Sequence, residues 1–456
     1  MHLDVEKYVY ENKNKVNKKY YPEIHLAAPV GWINDPNGFV YYKEQYHLFY
    51  QYHPYDTKWG PMHWGHAVSE DLVHWEYVGV ALVPDKAYDK DGCFSGSALV
   101  KDGKLYLMYT GHIIDEETKQ IRQVQNIAIS EDGIHFEKYR NNPVIDERNL
   151  PEVFSISDFR DPKMFEKNGK YYVVIGNTDT KNGCVQLFES DDLLNWTFKS
   201  SILSDDERLG NMVECPDFFT INNHDFMICS SMNYFDKELK QTIPHKVWLV
   251  EGTFDVDNGI FMPNNFMTMD SGMDFYAPQS TEGKNGERIY IPWMQRWSNF
   301  YLPDELKHNW MGQMGLPRII DIDSKGVVQQ SFYPTPCIPT TIIKTRGKYS
   351  CSSVGKIVIE EGSNFSCINL SAKDEMIQIY PDKNGYLQID FTNVLQKTNN
   401  DLEKNNLQIY TTELKYKATD KVEIILDKSS IELAVNGSVA SFTLYLKDEI
   451  DYIEIR

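Results

Sequence analysis

Gly31-Trp32-Ile33-Asn34-Asp35-Pro36-Asn37-Gly38 stands directly before the strand-like run Phe39-Val40-Tyr41-Tyr42. Asn, Asp, Pro and Gly are the residues turns prefer, each for its own backbone reason, so a tight turn is the simplest reading of the stretch alone. Its meaning changes because related stretches recur. Gly38 opens Phe39–Tyr42, the turn Lys43-Glu44 and Gln45–Gln51. Ser95-Gly96-Ser97-Ala98 opens Leu99-Val100, then Lys101-Asp102-Gly103-Lys104 and Leu105–Tyr109. Arg160-Asp161-Pro162 opens Lys163–Glu166, then Lys167-Asn168-Gly169-Lys170 and Tyr171–Ile175. Glu214-Cys215-Pro216 opens Asp217–Ile221, then Asn222-Asn223-His224 and Asp225–Cys229. Ala277-Pro278-Gln279 opens a weaker fifth copy, with Lys284-Asn285-Gly286 as turn and Arg288–Trp293 as second strand. Each copy reads as strand, hairpin turn, strand.

A second element follows three of the copies: Ser69-Glu70-Asp71 with Trp75, Ser130-Glu131-Asp132 with Phe136, and Ser190-Asp191-Asp192 with Trp196. A period of about 60 residues with roughly four short strands per unit is the pattern of propeller blades. The fold expected is all-β: a five-bladed β-propeller over 31–330, followed by a C-terminal β-sandwich. Residues 1–30 form a partly helical lead-in, with Lys13, Lys15, Lys18 and Lys19 in the polar, helical stretch. Pro334, Pro336 and Pro339 mark a semi-rigid linker over 331–340. Beyond it, over 341–456, come alternating segments: Glu375–Tyr380, Tyr386–Phe391, Val422–Leu426, Ser430–Val435 and Ala440–Leu446, with Asn436-Gly437 as a hairpin turn. A sandwich there is expected either to brace the propeller or to pair subunits into an oligomer.

Composition narrows the function. The chain has 456 residues, and its aromatic content of 13%, with 29 Tyr and 9 Trp, favours β structure and sugar-stacking surfaces. A formal net charge of -20 argues against nucleic acid or an anionic membrane as partner. The first thirty residues hold no apolar signal core, and no apolar run is long enough to span a membrane. Seven cysteines, with no zinc-type spacing, read as reduced thiols of a cytoplasmic protein. His53, His63 and His66 fit no zinc pattern, and no phosphate-cradling glycine loop is present, so neither metal nor cofactor is expected.

In a propeller the first strand of each blade lines the central channel, and residues at the starts of those strands converge at one mouth. Asp35, Asp161 and Glu214, from blades one, three and four, are therefore predicted to share a pocket. Three unbalanced carboxylates together are electrostatically costly, which speaks for chemistry over structure. Two carboxyls across a sugar acetal are what glycoside hydrolysis needs, and their separation decides between retention and inversion. The residues alone leave that choice open.

Trp32-Ile33-Asn34-Asp35-Pro36-Asn37-Gly38, Phe159-Arg160-Asp161-Pro162 and Glu214-Cys215-Pro216 resemble the three signature motifs of glycoside hydrolase family 32, the β-fructofuranosidases. The resemblance covers nearly the whole chain and is nearest to bacterial intracellular hydrolases of sucrose or sucrose 6-phosphate. It implies Asp35 as nucleophile, Glu214 as acid/base and Asp161 as stabiliser of an oxocarbenium-like transition state. It implies a retaining mechanism and a small sugar as substrate. Glu214 then needs a raised pKa, which the charges of Asp35 and Asp161 would supply, and Asp35 a low one. Further substrate-binding positions are implied. Asn34 and Gln51 would bind fructose hydroxyls, while Trp59 and Trp293 would offer flat faces to a ring. Phe94 and Ser95 lie at the second blade's mouth, Arg160 is a donor fork beside Asp161, and Cys215 tunes the acid. Asp274-Phe275-Tyr276-Ala277-Pro278-Gln279 resembles a fifth-blade motif on the substrate side.

Two departures stand out. Leu316-Pro317-Arg318-Ile319 replaces the family's Leu-Pro-Arg-Glu, and Trp297–Trp310, with Tyr301-Leu302-Pro303-Asp304-Glu305, is unusual and expected to border the leaving group. Arg296 and Lys307 are the candidate cations for a substrate phosphate. The competing readings are a short-chain fructan hydrolase or fructosyltransferase, an arabinan-type glycosidase, and a non-catalytic sugar-binding propeller.

Overall fold

The computed structural model describes residues 2–237, 239–297, 301–394 and 408–456. The sequence repeats fold into five sheets, the four blade strands of each running antiparallel, and each sheet starts on one of the recurring motifs. The five first strands are Gly31–Tyr42, Gly92–Lys101, Arg160–Lys167, Met212–Ile221 and Tyr276–Glu282. Each packs beside the next, and the fifth packs beside the first, which closes the ring of a five-bladed propeller. The hairpins after the first strands explain the repeated turn chemistry. Lys43 and Glu44, Asp102 and Gly103, Asn168 and Gly169, and Asn222 and Asn223 all have positive φ, the two-residue turn whose twist suits a hairpin. The fifth copy reads weakly because its turn is longer, with Gly283 N–H bonded to the Glu287 carbonyl.

The Ser-x-Asp element is also a turn, leading into the outer strand of its sheet. In each case the serine hydroxyl accepts a backbone N–H three residues on, from Leu72, Gly133 or Leu193. The aspartate caps the two N–H groups that follow it at +2 and +3. In the fifth sheet the second strand, Arg288–Trp293, and the third, Arg318–Ile322, are separated by a long excursion. Part of it, Trp310–Met311, pairs in parallel with Gly31 and Trp32 of the first sheet. Of the Trp297–Trp310 stretch singled out by sequence, residues 298–300 lie outside the described residues.

The last propeller strand ends at Phe332, and Thr340–Ile343 opens a two-sheet sandwich. One sheet has five strands and the other six, with Ile357, Ile377, Leu387, Ile424, Leu433 and Ile453 in a common core. Asn436 and Gly437 make the expected hairpin turn. At the other end of the chain, the helix occupies His2–Asn12 with a short 3-10 turn at Lys13–Lys15, so Lys18 and Lys19 lie beyond it. Its Val5 and Val9 are buried, and Glu6 accepts the Val80 N–H of the first sheet.

Propeller and sandwich are joined by buried charge. Arg318, fully buried, donates to Asp270 at 2.7 Å, to Glu432 at 2.5 Å and to the Ser441 hydroxyl. Glu432 also meets His25 Nε2 at 2.8 Å and accepts the Leu316 N–H, while His25 Nδ1 meets Asp427 at 2.8 Å. Burial alone would depress the His25 pKa, but its two carboxylate partners carry it up to about 9. The Leu316-Pro317-Arg318 motif is thus a joint between domains, and Ile319, the departure from the family pattern, lies on the same strand beside it. Substituting Arg318 by Met should lower stability in urea by about 3–5 kcal/mol, because Asp270 and Glu432 lose their buried cation. A loss under about 1 kcal/mol would show that the joint is not held by this pair.

Candidate active site

Every first strand breaks register with its neighbour where its motif lies. The shifts fall between Ile33 and Pro36, Phe94 and Gly96, Glu214 and Asp217, and Tyr276 and Gln279, and opposite Val174–Gly176 for the third strand. Such bulges re-aim side chains. In the last three sheets the residue before proline sits in the left-handed region, with φ of 66° at Asp161, 45° at Cys215 and 46° at Ala277. Non-glycine residues adopt that conformation only when the surroundings impose it.

Aligned on Pro36, Pro162, Pro216 and Pro278, the motif residues fall into two layers by their contacts. Asp35, Asp161, Cys215 and Ala277 stand directly before the prolines, with Ser95 bonded to Asp35; Asn34, Arg160, Glu214 and Tyr276 stand one residue earlier. Asp35 and Asp161 are buried, whereas Arg160 and Glu214 are partly exposed. Glu214 therefore stands level with Arg160, one residue from the position of Asp161. The contacts follow the layers. Ser95 Oγ donates to Asp35 Oδ2 at 2.7 Å. Cys215 Sγ lies 3.6 Å from Asp35 Oδ2 and 3.5 Å from Asp161 Oδ2, and the Cys215 N–H donates to Asp161 at 3.0 Å. In the outer layer, Glu214 receives Arg160 at 2.7 Å and the Tyr276 hydroxyl at 2.6 Å. Neighbouring blades fix the backbone. Gln125 Nε2 donates to the Phe159 carbonyl, Thr110 Oγ1 bonds Gln125 and accepts the Asp161 N–H, and Gln51 Nε2 donates to the Cys93 carbonyl.

The electrostatic order is the reverse of the sequence expectation. Burial, with the Glu214 charge, pushes Asp35 above the usual carboxylate range, against hydrogen bonds from Ser95 and Asn34. Burial pushes Asp161 up to about 7; Arg160 opposes this, while Glu214 and Asp35 add to it. Burial would raise Glu214 too, but the Arg160 guanidinium and the Tyr276 hydroxyl hold it below the usual glutamate range. The cause is the one-residue offset: Arg160, expected beside Asp161, binds Glu214 and stays 3.9 Å from Asp161. Burial and the three carboxylates raise the Cys215 thiol, so it remains a neutral bridge between the aspartates rather than a partner of Glu214.

Among the other expected positions, Asn34 accepts from Trp32 Nε1 at 2.9 Å, and Trp59, 48% exposed, meets the Phe94 ring edge-on at 5.9 Å. Phe94 stacks on His112. Trp293 cannot serve as a sugar platform, because it is fully buried beneath Trp32 and Trp297. Trp32 and Trp297 stack on each other at 6.0 Å and are partly exposed. Asp274 is likewise not on the substrate side; it is buried and accepts from Thr443 and Tyr301. Tyr276 was missed as a site residue, although Tyr276-Ala277-Pro278 repeats the register of Arg160-Asp161-Pro162 and Glu214-Cys215-Pro216. Arg296 is near enough to His245 and Asp274 for its charge to act on both, whereas Lys307 is exposed beyond the short helix Leu302–Glu305.

His53 and His63 both point a nitrogen at the Pro61 carbonyl, and His66 pairs with His47. Among the described residues, Asp71, His74 and Cys337 place ligand atoms within 4.8 Å of one another. The Asp71–His74 pair recurs as Asp132–His135 in the equivalent turn of the second sheet, so turn chemistry accounts for it.

Residues 25–331 match the family model of the glycosyl hydrolases family 32 N-terminal domain. A sucrose-6-phosphate hydrolase of Zymomonas mobilis is 40% identical over 330 residues, covering 69% of this chain; the chain spans 63% of that relative's length. One of Bacillus subtilis is 36% identical over 319 residues, covering 67% of this chain and 64% of the relative. A solved Bombyx mori GH32 beta-fructofuranosidase in complex with sucrose superposes with a TM-score of 0.85 at 28% identity, over 100% of this chain and 95% of that one. A sucrose-6-phosphate hydrolase structure from Lactobacillus gasseri gives 0.83 at 26% identity, over 99% and 93%. The propeller, its ring of acids and a family match across most of its length agree: the chain belongs to glycosyl hydrolase family 32.

Proposed function

We propose that the protein is a retaining β-fructosidase that hydrolyses the terminal β-D-fructofuranosyl bond of sucrose or sucrose 6-phosphate through a covalent fructosyl-enzyme. The observation that carries this reading is the two-layer arrangement of acids at the channel mouth. Asp35 lies in the deeper layer, with Oδ2 held by Ser95 and Oδ1 without a hydrogen-bond partner among the described residues. Asp35 is the nucleophile. Glu214, one layer nearer the mouth, is the acid that protonates the leaving oxygen and later the base that activates water. Asp161 takes fructose hydroxyls and faces the positive charge that develops on the ring.

Burial raises Asp35 and carries Asp161 up to about 7, while Arg160 and Tyr276 hold Glu214 low. A sugar that displaces water and makes hydrogen bonds with this set changes those balances, because hydroxyl groups that donate to Asp161 stabilise its anion. The similarity to sucrose-6-phosphate hydrolases and to a fructofuranosidase that binds sucrose supports the choice of substrate. The seven unpaired cysteines support a reducing, cytoplasmic location, and no described helix is long and apolar enough to cross a membrane.

Asp35→Ala and Glu214→Ala should each lower turnover of sucrose about 10²–10⁴-fold. Azide should restore the Glu214 variant on a fructoside with an activated leaving group, because departure then needs no acid. Near-normal rates in either variant would contradict the assignment. Steady-state kinetics with sucrose, sucrose 6-phosphate and inulin side by side should give the higher kcat/KM with one of the two disaccharides. A preference for inulin would make the protein a fructan hydrolase instead.

A further inference from the structure

The loop between strands Gln45–His53 and His63–Ser69 carries Trp59, the exposed aromatic next to Phe94. Phe94 adjoins Ser95, which holds Asp35, so Trp59 is linked to the acid cluster through the Phe94 ring. Both ends of the loop are anchored. His53 and His63 clasp the Pro61 carbonyl, the Met62 carbonyl accepts the Cys93 N–H, and the Tyr55 ring packs on Tyr8 of the N-terminal helix at 4.8 Å. The tip at 56–59 is exposed apart from Thr57. Thr57 Oγ1 donates to Asp304 Oδ1 at 2.5 Å.

Asp304 lies in the short helix Leu302–Glu305, inside the stretch that departs from the family pattern. That stretch is held at both sides. Trp297 stacks on Trp32 at 6.0 Å, the buried Tyr301 hydroxyl reaches Asp274 at 3.2 Å, and Trp310–Met311 pairs with the first sheet. The described parts of the excursion therefore meet the first blade at Trp32, at Thr57 and through Trp310–Met311. A charged acceptor on a rigid rim, bonded to the hydroxyl at the tip of an otherwise exposed loop, fixes where that tip stands.

We propose that the Thr57–Asp304 hydrogen bond is a rim latch that positions Trp59 against the substrate, so that Asp304 is a specificity-setting positioning residue of the proposed fructosidase. The proposal rests on that reading. It assigns a purpose to the unusual excursion: binding of the sugar through Trp59, with no part in bond breaking.

The test is kinetics on Asp304→Ala, Thr57→Val and Thr57→Ser, each alone and combined with Trp59→Ala. The substrate is sucrose or its 6-phosphate, whichever the wild type turns over faster. Asp304→Ala and Thr57→Val should raise KM roughly fivefold with kcat nearly unchanged, the size of one ordinary hydrogen bond lost. Thr57→Ser, which keeps the hydroxyl, should restore wild-type KM. In the Trp59→Ala background neither change should add anything, since the latch acts through that ring. An unchanged KM in both variants, effects on kcat alone, or full additivity with Trp59→Ala would overturn the latch while leaving the fructosidase reading intact. A wild type that releases no fructose from either disaccharide would overturn both.

Discussion

Arg160 places its guanidinium 2.7 Å from Glu214 and 3.9 Å from Asp161, with Asp35 in the next layer down, and it is this cation that makes a buried cluster of carboxyls tenable. An ionised carboxylate without a partner in such a place would shift its pKa and neutralise. The cluster does both. Arg160 and Tyr276 keep Glu214 ionised, while burial holds Asp161 up to about 7 and raises Asp35. The guanidinium and the tyrosine hydroxyl thus set the acidity of Glu214 apart from that of the two aspartates.

Holding that arrangement falls to the backbone and to adjacent blades. The left-handed residues at Asp161, Cys215 and Ala277 persist because their neighbours leave no alternative. Thr110 binds the Asp161 N–H, Gln125 binds the Phe159 carbonyl, and Gly96 lies so close to the Met108 carbonyl that a Cβ there would stand 2.0 Å from it. Each blade is thus the mould for the next, and the closed ring leaves the motif residues little freedom. Farther out, the Arg318, Glu432 and His25 network fastens the sandwich to the propeller, and Asp274 reaches across the same boundary to Thr443.

The blade repeat and the three acids were legible in the sequence because a repeated strand-turn-strand unit brings equivalent positions to one axis. The contacts that a one-residue offset produces were not. Glu214 stands two residues before its proline, as Arg160 does, and Asp161 one before, an offset present in the sequence and repeated in the strand register. That offset decides which carboxyl the guanidinium binds, and so inverted the expected order of acidities. Trp293 read as a sugar platform because a strand position does not reveal which face packs beneath Trp32 and Trp297. Asp274 and Arg318 sit in motif-like stretches, but their partners Thr443 and Glu432 are more than a hundred residues away, beyond the reach of local pattern.

The central claim is that Asp35 bonds to the sugar while Glu214 and Asp161 do not. It is tested most directly by trapping the intermediate: the Glu214→Gln variant mixed with a β-fructosyl fluoride, quenched in acid, digested and read by mass spectrometry. Departure of fluoride needs little acid help, and removal of the base slows hydrolysis, so the adduct should accumulate. The account predicts one fructosyl unit on the peptide that carries Asp35. A fructosyl unit on the Asp161 peptide, or fluoride release that leaves no adduct and yields fructose of inverted anomeric configuration, would contradict it.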